Sequence, residues 1–142
     1  MSIWFRDYTV EQVNARGTGT LMEHLEIRVT ELGPDSITGT MPVDHRTKQP
    51  VGLLHGGASV ALAESLASTA GNLCVDREKQ YCVGLEINAN HVSSSTSGKV
   101  TGVSRPIHLG KTTQVWETRI TQGERLICIS RMTLAVLNRK PA

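Results

Sequence analysis

The stretch that decides the fold runs from Gln49 to Gly71, QPVGLLHGGASVALAESLASTAG. It joins a His-Gly-Gly turn to an apolar run long enough for a helix of several turns. Between His55 and Asp76, only Glu64 and the thiol of Cys74 offer an ionisable group. Small and apolar side chains, among them Val60, Leu62, Ala63, Leu66 and Ala67, surround Glu64 on nearly every face. A helix that is apolar all round is a buried one, and a buried carboxylate without a partner is costly. Glu64 therefore needs a reason, and chemistry supplies one. An ion pair with Arg28, Arg105 or Arg131 would supply another.

Working outward, Thr9 and Gln12 have the spacing of a capping box for a helix over Val10–Arg16, stopped at Gly17. Leu21 to His24 reads as a further helical turn. Leu25, Ile27, Val29 and Glu31 alternate with Glu26, Arg28 and Thr30, which predicts a half-buried strand. The turn Gly33-Pro34-Asp35 leads into a second strand over Ser36–Val43, closing a hairpin. A polar loop, Asp44–Gly52, delivers the chain to the helix. Downstream, Cys82–Val92, Lys99–Ile107, Gln114–Thr121 and Leu126–Leu137 read as strands, the last two joined at Gln122-Gly123-Glu124. One long helix and about six strands on short turns predict a single α+β domain over residues 1–142. Its largely antiparallel sheet must wrap the central helix, because nothing else could cover it.

A net charge of +2, with Lys and Arg scattered and few aromatic residues, argues against a nucleic-acid partner. No apolar run is long enough to cross a membrane, and MSIWFRDYT lacks a secretory pattern. Cys74, Cys82 and Cys128 form no CxxC pair; free thiols in a reducing cytoplasm are expected. The five histidines show no HxxxH or HxH spacing, so no metal is expected.

Gly56 and Gly57 allow a ligand to approach the helix start closely, where free N–H groups and the dipole favour developing negative charge. An acyl carbonyl oxygen would find an oxyanion hole there. Burial would raise the pKa of Glu64 toward the acid–base range, and Ser68, one turn on, shares its face. Glu64 is eight residues beyond Gly56, about 12 Å along one helix axis. A catalytic carboxylate must lie within about 3–4 Å of the reacting atom, or reach it through one water. One subunit cannot bring its own Glu64 to its own turn. Two antiparallel copies about a two-fold axis can, which predicts a site shared across a homodimer.

The segment Met41–Ser65, with VGLEINANHV (Val83–Val92) and RPIHLGKTTQVWE (Arg105–Glu117), resembles the hotdog-fold acyl-CoA thioesterases, above all those acting on aromatic acyl groups. The likeness covers Trp4 to Leu137. It implies a long helix wrapped by an antiparallel sheet, paired subunits with shared sites, and a homotetramer. Coenzyme A would be part of the substrate and a product, with no separate cofactor. Glu64 would be nucleophile or general base, the Gly56 N–H would polarise the thioester carbonyl, and His55 would position it. Gln49 would sit at the acyl side and Ser68 would hold the water or the carboxylate. Coenzyme A would lie along Gly84, His91, Val92, Ser93 and Ser94, and along His108, Leu109, Gly110, Lys111, Thr112 and Thr113. Arg105 and Lys111 would meet its phosphates. Ser93 departs from the pattern, standing where a basic residue is expected.

Two other readings compete. A hydratase of the same fold would separate His from acid by more residues and set prolines around the histidine, which HGGA lacks. A non-enzymatic acyl-CoA-binding module would need an effector region, and only about twenty residues fall outside the fold unit.

Overall fold

The computed structural model describes residues 1–142. Helix α1 (Val10–Ala15) is capped as its spacing predicts: the Gln12 N–H donates to Thr9 Oγ1 at 3.2 Å, and the Thr9 N–H to Gln12 Oε1 at 3.0 Å. Helix α2 (Leu21–His24) follows. Strands β1 (Arg28–Leu32) and β2 (Ile37–Pro42) form the expected hairpin, then comes helix α3 (Gly56–Leu73). Strands β3 (Gln80–His91), β4 (Lys99–Leu109), β5 (Thr113–Gln122) and β6 (Arg125–Asn138) complete the chain. The six strands make one antiparallel sheet in the order β1-β2-β4-β5-β6-β3. A long helix against such a sheet is the hotdog arrangement.

The first strand starts three residues later than its alternation predicts. Leu25 caps α2, and Glu26 takes φ 57 in the left-handed region. The Ile27 N–H then closes back on the Met22 carbonyl at 2.8 Å, the six-to-one bond of a Schellman ending. A glutamate there is strained. Its carboxylate recovers an ion pair with Arg46 at 2.7 Å.

Leu62, Leu66 and Leu73 of α3 are fully buried against Ile37, Met41, Val100, Trp116 and Leu134 of the sheet. Burying each leucine contributes roughly 1.5–3 kcal/mol. Leu66 sits where Gly39 faces Gly102 across β2 and β4. A β-carbon on either glycine would come within 2.8 Å of a Leu66 methyl, so that pair of glycines makes its seat.

The sheet covers only one face of α3. Ser59, Leu62, Ala63, Leu66, Ala67 and Ala70 are buried, whereas Val60, Ala61, Glu64, Ser65, Ser68, Thr69 and Asn72 are half-buried. The expectation of a helix covered all round is thus corrected for the single subunit. Alanine and serine on the open face conceal an amphipathicity that only burial reveals.

The two sheet margins differ. At β1, Asn14 clamps Val29 from both sides, its amide donating to the Val29 carbonyl at 2.8 Å and accepting from the Val29 N–H at 2.9 Å. At β3, Asn72 makes the same double contact with Cys82 alone. No strand pairs with the outer edge of β3, which carries Val83 and Leu85, the latter 62% exposed.

Candidate active site

The loop into α3 is held tightly before it reaches the glycines. Arg46 bridges Asp44 at 2.6 Å and Glu26 at 2.7 Å. Hydrogen bonds from its guanidinium, and then from its backbone N–H, pull the Asp44 carboxyl down to about 2. The Thr47 hydroxyl, in a buried residue, donates to the Pro42 carbonyl at 2.8 Å, and the Thr47 carbonyl receives the His55 N–H at 2.8 Å. Gly52, at φ 87, turns the chain so that the Gln49 N–H donates to the Leu53 carbonyl at 2.8 Å. Arg46 was absent from the residues the sequence nominated. Its signal is the Asp44-x-Arg46 spacing, which means little without knowing that Glu26 lies opposite.

His55 is the N-cap of α3. Its Nδ1 accepts the Gly57 N–H at 2.8 Å, which fixes the proton of the neutral ring on Nε2. With Gly57 thus engaged, the Gly56 N–H has no acceptor in the chain. The His91 ring lies over Gly56, near enough that a β-carbon there would meet Nε2 at 2.8 Å. Gly56, His91, Gln49, Ser93 and Ser94 line one cleft of about 330 Å³, with Leu53, Leu54, Ser59 and Ile127. Gln49 Oε1 accepts from the Val51 N–H at 2.6 Å, and its amide NH₂ has no intrachain partner. Ser59, buried one turn into α3, was missed because nothing separates it in sequence from its small neighbours.

Glu64 lies elsewhere, on the open face of α3. It is half-buried and has no ion pair; Arg105 pairs with Asp35 at 2.7 Å instead. The ion-pair reading with Arg28, Arg105 or Arg131 therefore fails. A β-carbon on Gly84 would stand 2.8 Å from Glu64 Oε1, so this glycine makes room for the carboxylate. Ser68 opens onto a different cavity near the end of α3.

The remaining nominated residues fall into two places. Val92, 58% exposed, follows β3 and donates its N–H to Ile127. Leu109, Gly110 and Lys111 line a third cavity with Phe5, Val75 and Gln80. His108 folds against Gly110, while the carbonyls of Thr112 and Thr113 accept from Val136 and Gly110. One subunit thus keeps the amide cleft, the carboxylate and the Leu109–Lys111 corner apart. No three His, Cys, Asp or Glu side chains gather as a metal site.

An open helix start and an unpaired carboxylate on a hotdog scaffold are the parts that thioester hydrolysis calls for. A family model described as thioesterase superfamily matches residues 51–129, more than half of the chain, and the chain belongs to that family. It is 55% identical to 1,4-dihydroxy-2-naphthoyl-CoA hydrolase of Escherichia coli (strain K12), over 95% of this chain and 99% of that one. It is 53% identical to the proofreading thioesterase EntH of Cronobacter turicensis, over 95% and 98%. The crystal structure of a mutant thioesterase from Pseudomonas aeruginosa superposes with a TM-score of 0.95 at 50% identity, covering 97% and 100%.

Proposed function

We propose that the chain hydrolyses an aromatic acyl-CoA thioester, 1,4-dihydroxy-2-naphthoyl-CoA foremost, in a site assembled from two subunits. The observation that carries this reading is the separation of parts within one chain. The free Gly56 N–H and the unpaired Glu64 share one helix but lie about 12 Å apart along it. Both are half-buried against β3, at Gly84 and His91, and the margin of that strand bears exposed Val83 and Leu85. Two subunits meeting at that margin would bring Glu64 of one to Gly56 of the other and dry both.

In such a site the thioester oxygen accepts from the Gly56 N–H, and the helix dipole favours the charge that develops on it. Glu64 takes a proton from the attacking water, or itself attacks the carbonyl carbon. The carbon–sulfur bond then breaks and the coenzyme A thiolate leaves, taking the proton held by Glu64 in the first case. In the second, water hydrolyses the acyl–Glu64 anhydride, which restores the carboxylate and supplies the proton for the thiolate. Gln49 and Ser68 orient the acyl side and the water. Coenzyme A is assigned in this reading to His91 to Ser94, Arg105 and the His108–Thr113 corner.

The naphthoyl group is favoured by the similarity to the hydrolase of that name. Similarity to the proofreading enzyme supports a second reading, release of acyl groups from an aryl carrier protein. Hydrolysis of a panel of aromatic and aliphatic acyl-CoAs and an acylated carrier protein tests both. A higher kcat/KM for the naphthoyl ester upholds the first, and a preference for the carrier protein replaces it with the second. Light scattering should give two or four times the 15.4 kDa chain mass; a fully active monomer ends the shared-site reading.

A further inference from the structure

Four arginines far apart in sequence converge where the N-terminal segment meets the end of α3. Arg6 and Arg16 stack over the Tyr8 ring at 5.1 and 5.2 Å, and Arg139 over Tyr81 at 5.2 Å. Arg16, Arg77 and Arg139 line a cavity of about 390 Å³ together with Ser68, Asn72 and Tyr81. No aspartate or glutamate lines it. Arg46, Arg105 and Arg119 each pair with a carboxylate, but none of these four does. Arg77 Nε is enclosed and has no hydrogen-bond partner. Burial first, then Arg16 and Arg139, push its guanidinium down from the ordinary value. Arginine nonetheless stays charged, so like charges accumulate around an unsatisfied donor. That arrangement is costly without a counter-ion.

We infer that the cavity between Arg16, Arg77 and Arg139 is a binding site for an oxyanion, a carboxylate or phosphate group held by guanidinium forks. Two sources fit. One is a separate small anion. The other, which rests on the proposed thioesterase activity, is an anionic end on the acyl chain. Ser68, one turn past Glu64, opens onto the cavity, and Asn72 lies about 12 Å beyond Glu64 along the helix. A six-carbon dicarboxylic acyl group with its carbonyl at Glu64 would extend past Ser68 toward Asn72.

Calorimetry with pyrophosphate and with adipate, on the intact protein, tests the site. Saturable binding at one anion per chain is expected, weakened at least tenfold by R77Q and by R16Q, which alters an exposed residue and leaves the core intact. R119Q, whose partner is Glu117, should bind like the parent. Absence of saturation by both anions up to about 10 mM, or parental binding by R77Q and R16Q, overturns the site. Comparing adipyl-CoA with hexanoyl-CoA separates the sources. A tenfold preference for adipyl-CoA that R16Q erases assigns the anion to the acyl chain; equal rates with pyrophosphate still bound assign it to a separate ligand. If neither ester is hydrolysed while a naphthoyl ester is, the acyl-chain source fails; if the naphthoyl ester also stays intact, the thioesterase reading fails, and the calorimetry decides the site in either case.

Discussion

The imidazole of His91 caps the α-carbon of Gly56, leaving no room for a methyl group between ring and helix. Strand β3 therefore ends directly on the amide assigned to the oxyanion. Gly56→Ala should push the ring aside and disturb that amide, lowering kcat by about 10²–10³-fold, the range for losing one oxyanion donor. Adding His91→Ala to Gly56→Ala relieves the clash, and should recover part of kcat if crowding is the cause. Steady-state kinetics on the single and double variants check this.

A site divided between subunits makes complementation possible. Glu64→Gln should lose turnover by several powers of ten, and Gly56→Val should also be inactive. Co-expressed, the two form mixed dimers in which one of the two sites has both native parts. Activity should return to about one quarter of the parental value for random pairing. Continued silence in verified mixed dimers would place both groups in one subunit.

Acid should loosen the loop that leads into α3. The Asp44 carboxyl titrates near 2, below its ordinary 3.8, because Arg46 hydrogen-bonds to it. A depressed carboxyl adds stability above its unfolded pKa, lost as pH falls from about 4 through about 2. Asp44→Asn should flatten the fall in unfolding temperature across that window. Identical profiles for parent and variant would rule the pair out as the cause.

The His55 side chain serves the helix as its N-cap. His55→Ala removes the acceptor of the Gly57 N–H and should cost about 0.5–2 kcal/mol, whereas His55→Asn keeps an acceptor within reach and should recover most of it. Denaturant titration of the three proteins gives the comparison.

How much of this was legible beforehand depended on whether the signal was local. The apolar run after His55 located α3, and alternation through Leu85, Ile87 and Ala89 located β3. Alternation misjudged Leu25–Ile27, because a Schellman ending recruits residues whose side chains still look strand-like. The open face of α3 escaped notice because alanine and serine suit either environment. Gly56 and Glu64 could be singled out from composition alone, and their separation from helix geometry. The role of Gly84 as space for a carboxylate, and the gathering of Arg6, Arg16, Arg77 and Arg139, exist only in three dimensions. Arginines that read as scattered along the chain are neighbours in the fold.

Asn14 has a consequence for growth as well as for folding. By occupying both main-chain groups of Val29 it blunts one rim of the sheet, while the rim at β3 stays adhesive. Molecules joined rim to rim at β3 use up the adhesive side of each, and a third copy finds only blunted strands. If subunits pair at β3 as proposed, association through the sheet halts at that couple, and the chain can keep a long sticky strand without becoming a seed for fibres.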